Sequence, residues 1–262
     1  MTDSWRFIDT GLSSASYNMA LDEAIATSVR KDSVPPTLRL YGWNIPSVTI
    51  GCFQKISDVD IKYCNKNNFP IVRRLTGGRA VLHNYELTYS FSVKTANRLF
   101  SKGLLDSYRK ISRALSNALL KIGLSPETKM RRKTPLSRSS ICFQTTSFGE
   151  ITINSRKVVG SAQKRWTDGL LQQGSIPYCI DESEIVKVFG LESENIIEKP
   201  FIGLKDLFPD LNPDSFKKIV RISFEETFNT WLIPSSPSGE EVSLAKELEA
   251  QKYLTQQWNF RR

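Results

Sequence analysis

The sequence predicts an α+β fold, a mixed β-sheet flanked by helices with a helical C-terminal end, and three observations carry that prediction. Residues 86–93 (ELTYSFSV) set Leu87, Tyr89, Phe91 and Val93 against polar neighbours, the alternation of a strand. Residues 104–121 read as a long helix, stopped by Gly123 and Pro126. Strand and helix patterns interleave early and helical patterns dominate late, with no linker between them. Residues 1–262 therefore read as a single domain whose last part, about 181–262, is mainly helical.

In order, residues 5–9 (WRFID) open as a strand, and the serine-rich stretch 13–16 caps a helix with Met19, Leu21, Ala24 and Ile25 on its apolar face. After the Pro35-Pro36 break, 37–41 and 48–50 read as strands around a turn-like 42–46, followed by a short helix over 58–67 and a strand over 70–74. Residues 128–140 are basic and aperiodic and read as an exposed loop. Short strands follow near 141–143, 150–154, 157–162 and 169–176, then helices over 181–189, 214–230 and 240–252, the last two separated by Pro234, Pro237 and Gly239.

Composition sets limits on function. With 262 residues, 40% of them hydrophobic and 24% charged, the chain is an ordinary globular protein that needs no metal or disulfide staple. No apolar run approaches the ~20 residues of a membrane span. The N-terminus lacks a basic region followed by an apolar core, so the expected location is the cytoplasm. Cys52, Cys64, Cys142 and Cys179 form no CxxC pair, and His83 is the one histidine, a composition that argues against a metal site. The net charge of +9 suggests an acidic partner, which could be nucleic acid, an anionic membrane or an acidic protein, although a generally basic surface with no partner gives the same balance. The basic cluster Lys129, Arg131, Arg132, Lys133 and Arg138 has no interleaved aromatics, which disfavours nucleic acid.

Three segments carry chemistry. In 73–83 (RRLTGGRAVLH), Gly77 and Gly78 permit close backbone approach to a ligand, and the paired arginines before them could hold an anionic or carbonyl-bearing group. A hairpin turn with solvated arginines fits that segment as well. It is neither a Walker loop nor a dinucleotide turn. In 155–163 (SRKVVGSAQ), Lys157 opens a strand whose Gly160, Ser161 and Ala162 leave room for a ligand, although a surface lysine on an edge strand has the same pattern. In 139–143 (SSICF), Cys142 follows a basic loop, a setting that suits a reactive thiol.

Together with ELTYS and LLQQGSI, these segments in this order resemble the octanoyltransferase branch of the lipoate-protein ligase and biotin-protein ligase superfamily, and more narrowly its cysteine-dependent octanoyltransferases. The resemblance runs from WRFID to the C-terminal WNFRR. It implies the ligase catalytic-domain fold and transfer of an octanoyl group from octanoyl-acyl carrier protein, through a cysteine thioester, to the lysine of a lipoyl-domain protein such as glycine cleavage H protein or an E2 subunit. On this sequence it makes Cys142 the nucleophile and Lys157 the cation that lowers its pKa. The substrate positions become Arg74, Gly77, Gly78, Arg79, Ala80, Val81, Leu82, His83, Gly160, Ser161 and Ala162. Exchange between thioesters is close to thermoneutral, so no cofactor is expected; ATP and Mg²⁺ enter only if the chain is instead a lipoate-protein ligase. Such ligases carry a third glycine where this chain has Arg79. A lipoyl amidotransferase, or an inactive relative that binds carrier proteins, are further alternatives. Two positions depart from the pattern: Gln173 replaces a histidine and Asn84 an aspartate.

Overall fold

The computed structural model describes residues 4–128, 150–191 and 201–262. Among these residues, eight strands form one mixed sheet in the order β11-β1-β2-β6-β10-β9-β8-β7, and three form a second, β4-β3-β5. The large sheet comprises β1 (Ser4–Ser13), β2 (Thr37–Trp43), β6 (Glu86–Lys94), β7 (Glu127–Thr128), β8 (Ile151–Ile153), β9 (Arg156–Arg165), β10 (Gly169–Pro177) and β11 (Trp231–Pro234). β1 runs parallel to β2 and β11, and the pairs from β2 through β6, β10, β9, β8 and β7 are antiparallel. In the small sheet, β3 (Ser47–Ile50) lies parallel to β4 (Ile71–Arg73) and antiparallel to β5 (Val81–His83).

Helices cover both faces of the large sheet. α1 (Ala15–Arg30) begins where Ser14 Oγ accepts the Tyr17 amide, the cap expected from the serine-rich stretch. It packs with α7 (Gly239–Leu248) on one face, where Met19, Ala24, Ile25 and Ala245 meet Ile8, Tyr41 and Trp43. α3 (Leu104–Lys121) and α6 (Pro213–Phe228) cover the other face. There Trp5 lies 5.3 Å from Phe91 and 5.2 Å from Phe228, ring to ring. α6 starts at an Asn212 cap with Pro213 in its first turn and ends where Asn229 turns left-handed (φ 49°).

Double coverage changes the meaning of the β6 alternation. Its polar residues face α1 rather than water: Thr88, Ser90 and Ser92 are all buried, and Ser90 Oγ donates to Asp22 Oδ1 at 2.7 Å. The predicted elements otherwise recur with shifted ends. The 58–67 helix resolves into a 3₁₀ turn, Ile56–Asp58, and α2 (Ile61–Lys66), while α4 (Glu182–Val188) matches 181–189. The last predicted helix, 240–252, continues from α7 into a π-turn at Glu249–Tyr253. Short helices α5 (Leu204–Leu207) and α8 (Gln256–Asn259) had no sequence signal, nor did β11, which ends on Pro234 and lies at the sheet edge, where proline is tolerated. The basic cluster from Lys129, the predicted strand at 141–143 and Cys142 itself lie outside the described residues.

Candidate active site

A pocket with predominantly apolar walls and about 390 Å³ of empty space lies between α1, the small sheet and the β9–β10 ladder. Met19, Tyr41, Trp43 and Val81 supply its apolar bulk. The ladder supplies the room: Gly160 pairs with Ser175 and Ala162 with Gln173, so small side chains face the cavity from β9. Of the residues expected to bind substrate, Arg74, Val81, His83, Gly160, Ser161 and Ala162 line this pocket.

The other expected positions stand behind or beside it. Gly77 and Arg79 offer their carbonyls to Arg74 Nη2, at 2.8 and 2.7 Å. Gly78 takes φ +85°, and its carbonyl packs so closely on Gly51 that a Cβ there would sit 1.9 Å from it. Ala80 is buried in the small sheet's own core with Val48 and Ile50. Leu82 faces a second cavity of about 630 Å³, bounded also by Asn84, Tyr85, Glu86 and Cys179.

The two arginines before the glycines have separate tasks. Arg74 turns toward the pocket, where Nη1 donates to the Thr49 carbonyl and hydroxyl at 3.2 and 3.1 Å. Arg73 turns away, donating to the backbone carbonyls of Gly51, Gln54 and Asn259, and so fastens the C-terminal segment to the loop after β3. The paired-arginine reading therefore narrows to Arg74. Burial first, and neighbouring Arg261 next, lower the Arg73 guanidinium's pKa from its ordinary value.

Lys157 is fully buried rather than at the surface, with Nζ 2.5 Å from Glu150 Oε1. A register shift between β8 and β9 explains its direction. Lys157 pairs with Thr152, whose side chain points away from the core-facing Ile151 and Ile153, whereas Val159 pairs with Ile151. The bulge thus turns Lys157 to the sheet face opposite α3 and α6.

Two buried carboxylates organise the polar lining, and neither was marked by the motifs. Asp22 accepts four hydrogen bonds: from Arg39 Nη1 and Ser90 Oγ on one oxygen, and from Tyr41 OH and Gln173 Nε2 on the other, at 2.7 to 2.9 Å. Gln173 also accepts from Thr76 Oγ1 at 2.9 Å, so at this departure from the expected histidine the amide serves as a fixed strut. Burial and then Asp22's charge push the Tyr41 phenol well above its usual range. Glu86 accepts from His83 Nδ1, Trp43 Nε1, Thr88 and Ser175. Burial alone would raise its carboxyl, but His83 and the donors together hold it below the ordinary value. A signal for both was present in the sequence, since Asn18 and Asp22 sit at i and i+4 within an apolar helix face and Glu86 follows His83 by three.

Among the described residues, no group of three or more His, Cys, Asp or Glu side chains could hold a metal ion, and no helix is long and apolar enough to cross a membrane. Cys52 and Cys64 are buried and Cys179 is exposed.

Comparison with known proteins adds the following. Residues 14–225 match the family described as the lipoyl protein ligase A/B catalytic domain. The chain is 36% identical to the octanoyltransferase LipM of Halalkalibacterium halodurans over 282 residues, covering 99% of this chain and 100% of that one. It is 37% identical to the LipM of Carboxydothermus hydrogenoformans and 34% to that of Bacillus subtilis, with 99% of each chain covered in both cases. In structure it resembles a lipoate-protein ligase A bound with ATP, with TM-score 0.82, 25% identity and 99% of both chains covered. A bi-partite lipoate protein ligase from Thermoplasma acidophilum shares the fold, with TM-score 0.79, 24% identity and 98% of this chain and 96% of that one covered.

Proposed function

This chain belongs to the lipoyl protein ligase A/B catalytic domain family and is an octanoyltransferase, and we propose that it moves octanoyl from an acyl carrier protein, through a thioester on Cys142, to the lysine of a lipoyl-domain protein. The observation that carries this reading is the pocket. Its apolar walls suit a saturated tail, at ~0.8 kcal/mol per buried CH₂, and its polar groups are already tied to one another.

In the proposed first step, the Cys142 thiolate attacks the carbonyl of the carrier-bound thioester. The carrier's thiolate leaves, so one C–S bond replaces another and no ATP is needed. In the second, the acceptor's neutral ε-amine attacks the enzyme thioester, the C–S bond breaks as the C–N bond forms, and the proton lost by the amine returns the departing Cys142 thiolate to the thiol, giving an amide in a downhill step. A free thiol near pKa ~8.5 is only a few per cent ionised at neutral pH, and a nearby ammonium raises that fraction. Lys157 is the candidate for that ammonium. Because Glu150 neutralises much of its charge, its influence is that of an oriented, buried ion pair rather than of an isolated cation. The +9 charge suits an acidic donor, and the cytoplasm is the proposed location.

The test is reconstitution. With octanoyl-acyl carrier protein and an unmodified lipoyl domain, the acceptor should become octanoylated without ATP or Mg²⁺. Modification that requires free octanoate and ATP would instead make the chain a ligase.

A further inference from the structure

We propose that Glu86 is a positioning residue which, through His83 and Thr49, sets the place of Arg74 in the pocket wall and of the glycine turn beside the pocket. Its consequence for turnover rests on the acyl-transfer reading above.

The chain of contacts is continuous and buried, and it joins the two sheets. Glu86, at the start of β6 in the large sheet, faces His83 Nδ1 at 2.9 Å. His83, in β5 of the small sheet, stacks on Trp43 at 4.0 Å between centroids and 18° between planes, so its ring plane is fixed. Its Nε2 lies 2.7 Å from Thr49 Oγ1. Thr49 Oγ1 also accepts from Arg74 Nη1 at 3.1 Å, and Arg74 Nη2 holds the carbonyls of Gly77 and Arg79. Side-chain exposure at the His83–Glu86 pair is 6% and 3%.

Donor arithmetic gives the relay a direction. The Glu86 carboxylate can only accept, so His83 Nδ1 carries a ring hydrogen and donates it there. In the neutral ring Nε2 then accepts, and the Thr49 hydroxyl, which also accepts from Arg74, donates its single hydrogen to it. If the ring is doubly protonated, Nδ1 still keeps its hydrogen. A carboxylate at 86 therefore dictates the ring's orientation, and aligned hydrogen bonds strengthen one another in a dry site.

An apolar wall would close the pocket without this arrangement, and a buried charge costs several kcal/mol unless it is well satisfied. Trp43, Thr49, Arg74, His83, Thr88 and Ser175 all line the cavity, so the groups that satisfy Glu86 are the groups a substrate meets. The far end of the relay is the turn whose Gly78 carbonyl rests on Gly51. Slack at Glu86 would be felt as displacement of that turn and of Arg74, which lines the pocket, and misplacement by about 1 Å can cost on the order of a hundredfold in rate.

Because His83 is the one histidine in the chain, nitrogen-15 NMR of the resting protein reads the relay without assignment. The wild type should show hydrogen on Nδ1. Glu86→Leu, which removes the acceptor altogether, should let it move to Nε2. An unchanged Nδ1–H form in the variant overturns the proposal, whatever the protein's activity. For turnover, Thr49→Val keeps the shape but removes the hydroxyl. It should lower kcat for octanoyl transfer roughly tenfold or more at a temperature where the variant is fully folded, and Thr49→Ser should recover most of the loss. If the wild type transfers octanoyl and Thr49→Val matches it in kcat and KM, the relay has no positioning role. If the wild type transfers nothing, the functional reading fails while the tautomer result still decides the geometry.

Discussion

The Lys157 ammonium lies 2.5 Å from Glu150 Oε1, with side-chain exposures of 1% and 2%. A pair this dry is costly to break from one side, because the remaining charge stays buried. Lys157→Ala should therefore destabilise the protein by about 3–5 kcal/mol as well as slow transfer. Replacing both partners, as in Lys157→Met with Glu150→Met, should restore much of the stability and none of the transfer. Chemical denaturation beside single-turnover acylation separates the two effects. A stable, inactive double variant is the expected result, and recovery of transfer in it would remove Lys157 from the chemistry.

The glycine turn beside the pocket depends on a glycine outside its own motif. A Cβ at Gly51 would come within 1.9 Å of the Gly78 carbonyl, while one at Gly77 meets nothing within 4 Å. Gly51→Ala should therefore raise KM for the acyl donor and lower the melting temperature, and Gly77→Ala should change both far less. Thermal melts and steady-state kinetics on the two variants check the ranking.

Burial, aided by Asp60 and Glu184, pushes the Cys64 thiol up to about 11. At pH 8 only on the order of one part in a thousand would be thiolate, the reactive form, and the side chain is fully buried. Peptide mapping after iodoacetamide treatment of the folded protein at pH 8 should find Cys64 unlabelled. Labelling there, before labelling of Cys142, would contradict both the burial and the choice of nucleophile.

Glu86 makes acid stability a test of its surroundings. Its carboxyl titrates lower in the folded chain than when unfolded, so it contributes stability above the unfolded value that is lost as pH falls through the folded one. Below about pH 4.3, the usual glutamate midpoint, the wild type should lose melting temperature more steeply than Glu86→Gln. Parallel acid limbs in the two proteins would mean that the carboxylate gains nothing from His83, Thr88 and Ser175.

Much of this architecture was legible in the sequence because local chemistry and tertiary packing agree. The Ser14 cap and the β6 alternation each specify one element. What stayed hidden depends on a second layer. The polar residues of β6 look solvent-facing until α1 covers them, and then Ser90 becomes a donor to Asp22. β11 is four residues long with a proline at its end, too short to announce itself. At the site, Arg74, His83 and Gly160 are positions the family resemblance implies, and they line one pocket. Asp22 and Glu86 were missed because a buried carboxylate is defined by donors from distant segments, such as Gln173 for Asp22 and Ser175 for Glu86. Lys157 looked like an edge lysine because the bulge that turns it inward appears only once β8 pairs with β9.

The central claim is a covalent octanoyl-enzyme at Cys142, and intact-protein mass spectrometry tests it most directly. After brief incubation with octanoyl-acyl carrier protein and no acceptor, the protein should gain one octanoyl group that hydroxylamine removes and that peptide mapping places on Cys142. Cys142→Ser should gain none. Adding a lipoyl domain should discharge the adduct to the acceptor lysine. An adduct on Cys52, Cys64 or Cys179, or octanoylation of the acceptor at an undiminished rate by Cys142→Ser, would contradict the account.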